Sequence, residues 1–199
     1  THDYIAYTFY SEEKVREVLD LNSYVPLTDD VKLDEIVIDT SPRDSYDNEY
    51  DEQILTRTPG NENYKYLKVK VGGYDGHLVA IYDPSRVSIA TTQYLGVRGE
   101  SILTVSEREG AIVAMNAGGF YDPDWNSNGA LPHGTVISNG KVVSDYVDAN
   151  VGGGFIGFDS NNKLVLKNMS SEEALAMGIR DAVDWGPFLI VDGVNRYSH

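Results

Sequence analysis

The sequence predicts an α+β domain, a mostly antiparallel or mixed sheet with a few short helices. Three observations predict it. Alternating or β-branched runs recur from Tyr64 onward and are joined by hairpin-type turns. Helical patterning is confined to three short windows, and no solenoid period or low-complexity tract interrupts the chain.

The elements follow in order. Residues 11–22, SEEKVREVLDLN, predict a helix capped by Ser11, with Glu12 and Glu13 in its first turn, where the helix dipole favours acids. Val15, Val18, Leu19 and Leu21 form its apolar stripe. Residues 23–63 are turn-rich and acidic, and an irregular connection is expected around SPRDSYDNEYDEQ. YKYLKVKV then alternates strictly, with Leu67, Val69 and Val71 on one face, as a half-buried strand does. GGYDG turns it, HLVAIYD returns, and VSIATTQYL reads as a third strand of an antiparallel meander. ESILTVSERE predicts a helix over 100–109, stopped by Gly110.

Ala111 to Met115 reads as a buried strand. After a long loop, HGTVISNGKVVSD predicts a hairpin turning on Asn139-Gly140, the pair that best suits a type I′ turn. GGGFIGFDSNNKLVLKN predicts a second hairpin turning at DSNN. SSEEALAM opens on a capping box, Ser170 answered by Glu173, and Gly178 closes that helix. PFLIVDG at 187–193 reads as a last buried strand. The composition divides the chain into an acidic segment, 1–63, and a domain, 64–199.

Composition bounds the function. The chain has 199 residues, 41% of them hydrophobic, enough to bury a core. Cysteine is absent, which excludes disulfides, Cys-ligated zinc, iron–sulfur clusters and thiol catalysis. The formal net charge is −15. Residues 1–63 hold 16 acids against five Lys/Arg, and the remainder holds 15 against 11. No basic stripe is present to displace counterions, so no nucleic-acid partner is expected. The first residue is Thr1 rather than Met, so the lack of a signal peptide says nothing about location.

The loop NAGGFYDPDWNSNGALPHG, 116–134, concentrates the polar chemistry. Asp122, Asp124, Asn126 and Asn128 alternate as oxygen ligands of calcium loops do, so Asp122, Asp124 and Asn126 are candidate metal ligands and calcium a possible ion. An EF-hand is excluded, because Ser127 and His133 stand where Gly and Glu are required. The bland reading is Asx turns on an exposed loop. His133 is one of four histidines and sits where the loop enters a strand, placed to donate to an anionic oxygen or to transfer a proton. Asn116-Ala117-Gly118-Gly119 allows a ligand close to the backbone and can form an anion-binding nest. No P-loop, GxGxxG, GxSxG or HExxH motif occurs. The residues alone therefore reach a loop that binds something polar or anionic, and stop short of a reaction.

Three ordered motifs extend this. They are Asn116-Ala117-Gly118-Gly119-Phe120-Tyr121-Asp122, then Gly134-Thr135-Val136-Ile137-Ser138-Asn139-Gly140-Lys141, then Gly186-Pro187-Phe188-Leu189-Ile190-Val191-Asp192-Gly193. Together they resemble the phosphodiester glycosidase family over roughly residues 64–194. These are relatives of the uncovering enzyme, which removes N-acetylglucosamine from a phosphodiester on mannose, and bacterial members are often labelled exopolysaccharide-biosynthesis proteins. The resemblance implies hydrolysis of a sugar-1-phosphodiester, with a sugar-phosphate or polysaccharide partner, in the cell envelope or outside the cell. It implies Asn116, Asp122 and His133 as catalytic candidates and Gly118, Gly119, Phe120, Gly134 and Gly186 as substrate contacts. The family's further D-G-R and N-L-D-G-G-G segments do not occur. The expectation is a domain truncated at its C-terminus, its site completed by a missing half, with any membrane anchor outside this stretch. The alternative is a non-catalytic carbohydrate- or calcium-binding module.

Overall fold

The computed structural model describes residues 10–21, 43–123, 125–146, 154–184 and 186–196. In order these form helices α1 (Glu12–Leu21) and α2 (Glu49–Leu55), strands β1 (Tyr64–Val71) and β2 (Tyr74–Ile81), a 3-10 turn at Pro84–Arg86, and helix α3 (Ile102–Glu109). Strands β3 (Gly119–Phe120), β4 (Pro132–Ser138), β5 (Lys141–Tyr146), β6 (Phe155–Asp159) and β7 (Leu164–Lys167) follow. Helix α4 (Ser171–Ala176), strand β8 (Ile179–Asp184) and the short pair β9 (Ile190–Val191) and β10 (Val194–Asn195) complete the order. The class is α+β, with antiparallel pairing in every sheet.

The main sheet runs β3-β4-β8-β6-β7, with β5 also paired to β4. The β4–β5 turn bears out the Asn-Gly expectation. Asn139 and Gly140 have φ of 50° and 69°, the left-handed pair that a type I′ turn requires. The β6–β7 turn is stiffened by Asp159, whose Oδ1 accepts from the Asn161 and Lys163 amides. One face of this sheet holds the core: Ile137, Phe155, Val165, Ile179 and Ala182, closed by Ala174 of α4. The capping box of α4 forms as expected, with Ser170 and Glu173 bonding reciprocally. Burial of each large aliphatic chain here contributes about 1.5–3 kcal/mol.

The central strand β8 was not expected, because IRDAVD interrupts its apolar residues with charge. The structure buries Asp181 and Asp184 and half-buries Arg180. Asp181 is 2% exposed. Its Oδ1 accepts from the Ile89 and Asn139 amides at 3.2 and 3.3 Å, and its Oδ2 accepts from Arg180. Arg180 also donates to the Val87 and Pro84 carbonyls at 2.9 and 3.0 Å. The Ser138 hydroxyl donates to the Ile89 carbonyl at 2.7 Å.

That network corrects the third meander strand. VSIATTQYL does not form a strand, because side chains of β4, β8 and α3 occupy the backbone groups that a ladder would use. Ala111 to Met115 is a second correction. It is irregular and exposed, with Ile112 and Met115 at 68% and 81%. Its apolar composition met the pattern, but among the described residues no neighbouring strand pairs with it. Within 187–193 only Phe188 and Val191 are buried, and the strand is the two-residue β9, because its partner β10 is equally short.

Helix α2 was missed inside the segment read as irregular. Asn48 caps it by accepting from the Tyr50 and Asp51 amides, and acids fill its first turn. Lys65 and the Tyr82 hydroxyl hold it to the β1–β2 hairpin through the Thr56 and Ile54 carbonyls. Helix α1 starts as expected on Ser11, and Val15 is buried, while the side chains of Val18, Leu19 and Leu21 lie outside the described residues. In β1 the alternation holds at Leu67, which is buried, and fails at Val71, 70% exposed at the hairpin tip. Helix α3 starts two residues later than expected, capped by Ser101, and ends on Gly110 as expected.

Two substitutions test this account. Asp181→Ala strands two amides and the Arg180 guanidinium, and is expected to cost about 3–5 kcal/mol in chemical denaturation. Gly154→Ala places a Cβ 2.3 Å from the Asn168 Oδ1 and 2.6 Å from the Phe188 ring, at a backbone φ of +91°. It is expected to cost about 1–3 kcal/mol by the same measurement.

Candidate active site

The two ends of the 116–134 loop meet. Gly119 pairs with His133 and Phe120 with Pro132, and the Tyr121 amide donates to the Leu131 carbonyl at 2.9 Å. The long connection is therefore a closed excursion from one short hairpin, β3–β4. A Cβ on Gly118 would lie 3.9 Å from the Val183 side chain, so the glycine pair passes over β8. Beyond its last pair, Phe155 with Asp184, β8 leads toward Gly186. The start of β4, the end of β8 and the β3 hairpin thus gather Gly118, Gly119, His133 and Gly134 at one end of the sheet, with Gly186 two residues past β8.

His133 stands in an aromatic group. Its ring lies 6.3 Å from Tyr121 and 6.2 Å from Tyr146, and the two tyrosines meet edge to face at 4.8 Å. Such contacts fix ring positions. Tyr121 and Tyr146 were not singled out in the sequence, although Tyr121 lies within the first motif. Beside them Thr135 donates to Asp145, and Ser171 donates to the other Asp145 oxygen at 2.8 Å, joining β4, β5 and α4.

The other candidates divide. Asn116 and Phe120 are exposed, Phe120 at 51%. Asp122 Oδ1 accepts from the Ser127 amide at 2.8 Å, which closes the loop tip as an acidic turn residue does. Asn126 is exposed, and Asp124 lies outside the described residues. Among the described residues no group of three His, Asp or Glu side chains is arranged to hold a metal ion. Trp125, at the tip, is 91% exposed with a left-handed φ of 57°.

The far side of the loop is braced by the segment 93–108. The Gly96 and Gly99 amides donate to the Ala130 and Asn128 carbonyls at 3.0 and 2.8 Å, and the Asn128 side chain returns a bond to the Val97 carbonyl. That segment is folded around Glu100, whose side chain is 3% exposed. Glu100 accepts from the Gln93 amide at 2.8 Å, from the Gln93 side chain and from Arg108. The Gln93 amide above all, then its side chain and Arg108, hold the Glu100 carboxyl below its ordinary value of 4.5, against an opposing effect of burial.

A lowered carboxyl stabilises the fold above the unfolded value and loses that contribution as pH falls through the folded one. The bracing segment is therefore expected to loosen below about pH 4.5. Protection factors for hydrogen exchange at the Gln93 and Gly99 amides should fall there in the native protein, and a Glu100→Gln variant should show weaker protection already at pH 7.

The phosphodiester glycosidase family model matches residues 109–198. No curated protein matches the chain. The matched span begins at the end of α3 and takes in the β3–β4 hairpin, the whole main sheet and the cis Gly186-Pro187 segment. It thus contains every residue of the glycine, histidine and tyrosine group, and residues 109–198 are a phosphodiester glycosidase family domain.

Proposed function

We propose that the full-length protein hydrolyses a sugar-1-phosphodiester of the N-acetylglucosaminyl type, in a cell-surface or exopolysaccharide-related polymer. The observation that carries this is the pairing of Gly119 with His133 inside a matched phosphodiester glycosidase domain. It sets the glycine pair and His133 side by side at a sheet end, an arrangement that suits a phosphate or a sugar oxygen.

The reaction needs little else from acid catalysis. The leaving group is a phosphate monoester, a stable anion with a second pKa of about 6, so it departs more readily than a sugar alkoxide. The demand falls on holding the phosphate and on stabilising an oxocarbenium-like sugar. Backbone N–H groups at Gly118-Gly119 and the Asn116 amide suit the phosphate. His133, braced by Tyr121 and Tyr146, suits a proton transfer at the bridging or attacking oxygen. Asp122 has one oxygen engaged in its loop, which leaves the other for a general base or nucleophile.

The assay is release of N-acetylglucosamine from a nitrophenyl phosphodiester or a UDP-sugar by the full-length protein. His133→Ala is expected to lower kcat by about 10²–10⁴-fold with the fold intact by circular dichroism. Asp122→Asn keeps the acceptor for Ser127 and removes the charge, so it should lose rate without losing melting temperature. Unchanged rates in both variants would remove these roles.

A further inference from the structure

Among the described residues, three polar or charged residues are buried: Thr135, Asp181 and Asp184. Two are accounted for. Thr135 donates to Asp145, and Asp181 accepts from two amides and Arg180. Asp184 differs. It is 8% exposed, and among the described residues its Oδ1 has no hydrogen-bond partner. A buried acceptor left without a partner forfeits its hydration and gains nothing in return. Orphans of this kind are rare enough to call for a use.

Its place supplies one. Asp184 is the last residue of β8, paired across to Phe155, and it follows Val183, the residue that Gly118 overlies. One step beyond the Val136–Val183 pair, the register sets it beside Thr135, two residues from His133. Alternation sends its carboxyl to the face opposite Val183, the face that Thr135 and Phe155 share, at the end of β8.

We propose that Asp184 is a substrate-binding residue whose carboxylate accepts a hydrogen bond from a sugar hydroxyl. This rests on the glycosidase reading above and deepens it. The chemistry decides which half of the substrate it meets. An ionised carboxylate only accepts, and it repels a phosphate, so it cannot serve the anionic half. Sugar hydroxyls are donors, and O–H to carboxylate bonds are short and strong. The phosphate then lies toward Gly118-Gly119 and the sugar toward the end of β8.

The test uses the full-length protein and the variants Asp184→Asn and Asp184→Leu. Melting temperature, kinetics on the nitrophenyl phosphodiester, and calorimetric binding of N-acetylglucosamine-1-phosphate are measured for each. The expected result is a melting temperature equal to or above wild type for Asp184→Leu, with KM and Kd raised at least tenfold in both variants. A KM and Kd within twofold of wild type would overturn the assignment, as would a fall of more than 5 °C in both variants, which marks a structural carboxylate. If the wild type binds the sugar phosphate but does not turn over the diester, the hydrolytic reading fails alone, and the Kd comparison still decides Asp184. If the wild type does neither, both fail.

Discussion

The arrangement around the site depends on one buried carboxylate. Asp181 joins three pieces of chain that are far apart in sequence. It holds the Ile89 amide, the Asn139 amide at the β4–β5 turn, and Arg180 beside it, which in turn reaches Val87 and Pro84. An isolated buried charge is costly, and this one is tolerable because each of its oxygens has a donor. The same bonds set where β4 lies relative to β8, and with it where His133 and the glycine pair meet.

From that anchor the site follows by register. β4 is shared by β3, β5 and β8, so one strand fixes the positions of Gly119, Tyr146 and Val183 together. Polar bracing lies around this frame and within the 116–134 loop, where Asp122 holds the Ser127 amide. Glu100 and Arg108 shape the segment that receives Asn128 and Ala130, and Asp145 joins Thr135 to Ser171. A rigid frame with an exposed loop, including a fully presented Trp125, is the usual division between scaffold and recognition. It also suits the proposed reaction, in which holding a phosphate and a sugar in place counts for more than strong acid catalysis.

Local patterning was legible wherever the chain satisfies its own backbone. The Asn139-Gly140 turn, the Ser170–Glu173 capping box, the Gly110 stop and the two hairpins of the main sheet are short-range chemistry, and all form where expected. The family domain was legible from three motifs, which fall around β3, along β4 and its turn, and just past β8. The failures share a cause. AIVAM looked buried and is exposed, whereas IRDAVD, assigned to no element, is a central strand. Composition records what a segment would tolerate, and its neighbours decide what it meets.

The sequence by itself determined the class, the main hairpin turns, most helix caps and the family resemblance, because these depend on residues a few positions apart or on the identity of ordered motifs. It also marked Gly118, Gly119 and His133 as worth joining. Only the tertiary structure decided that Gly119 pairs with His133, that Tyr146 reaches the same imidazole, and that two aspartates lie buried in a central strand. Those are contacts between positions up to about ninety residues apart in the case of Ile89 and Asp181. Their energy comes from desolvation and partner geometry, which exist only once the sheet has closed.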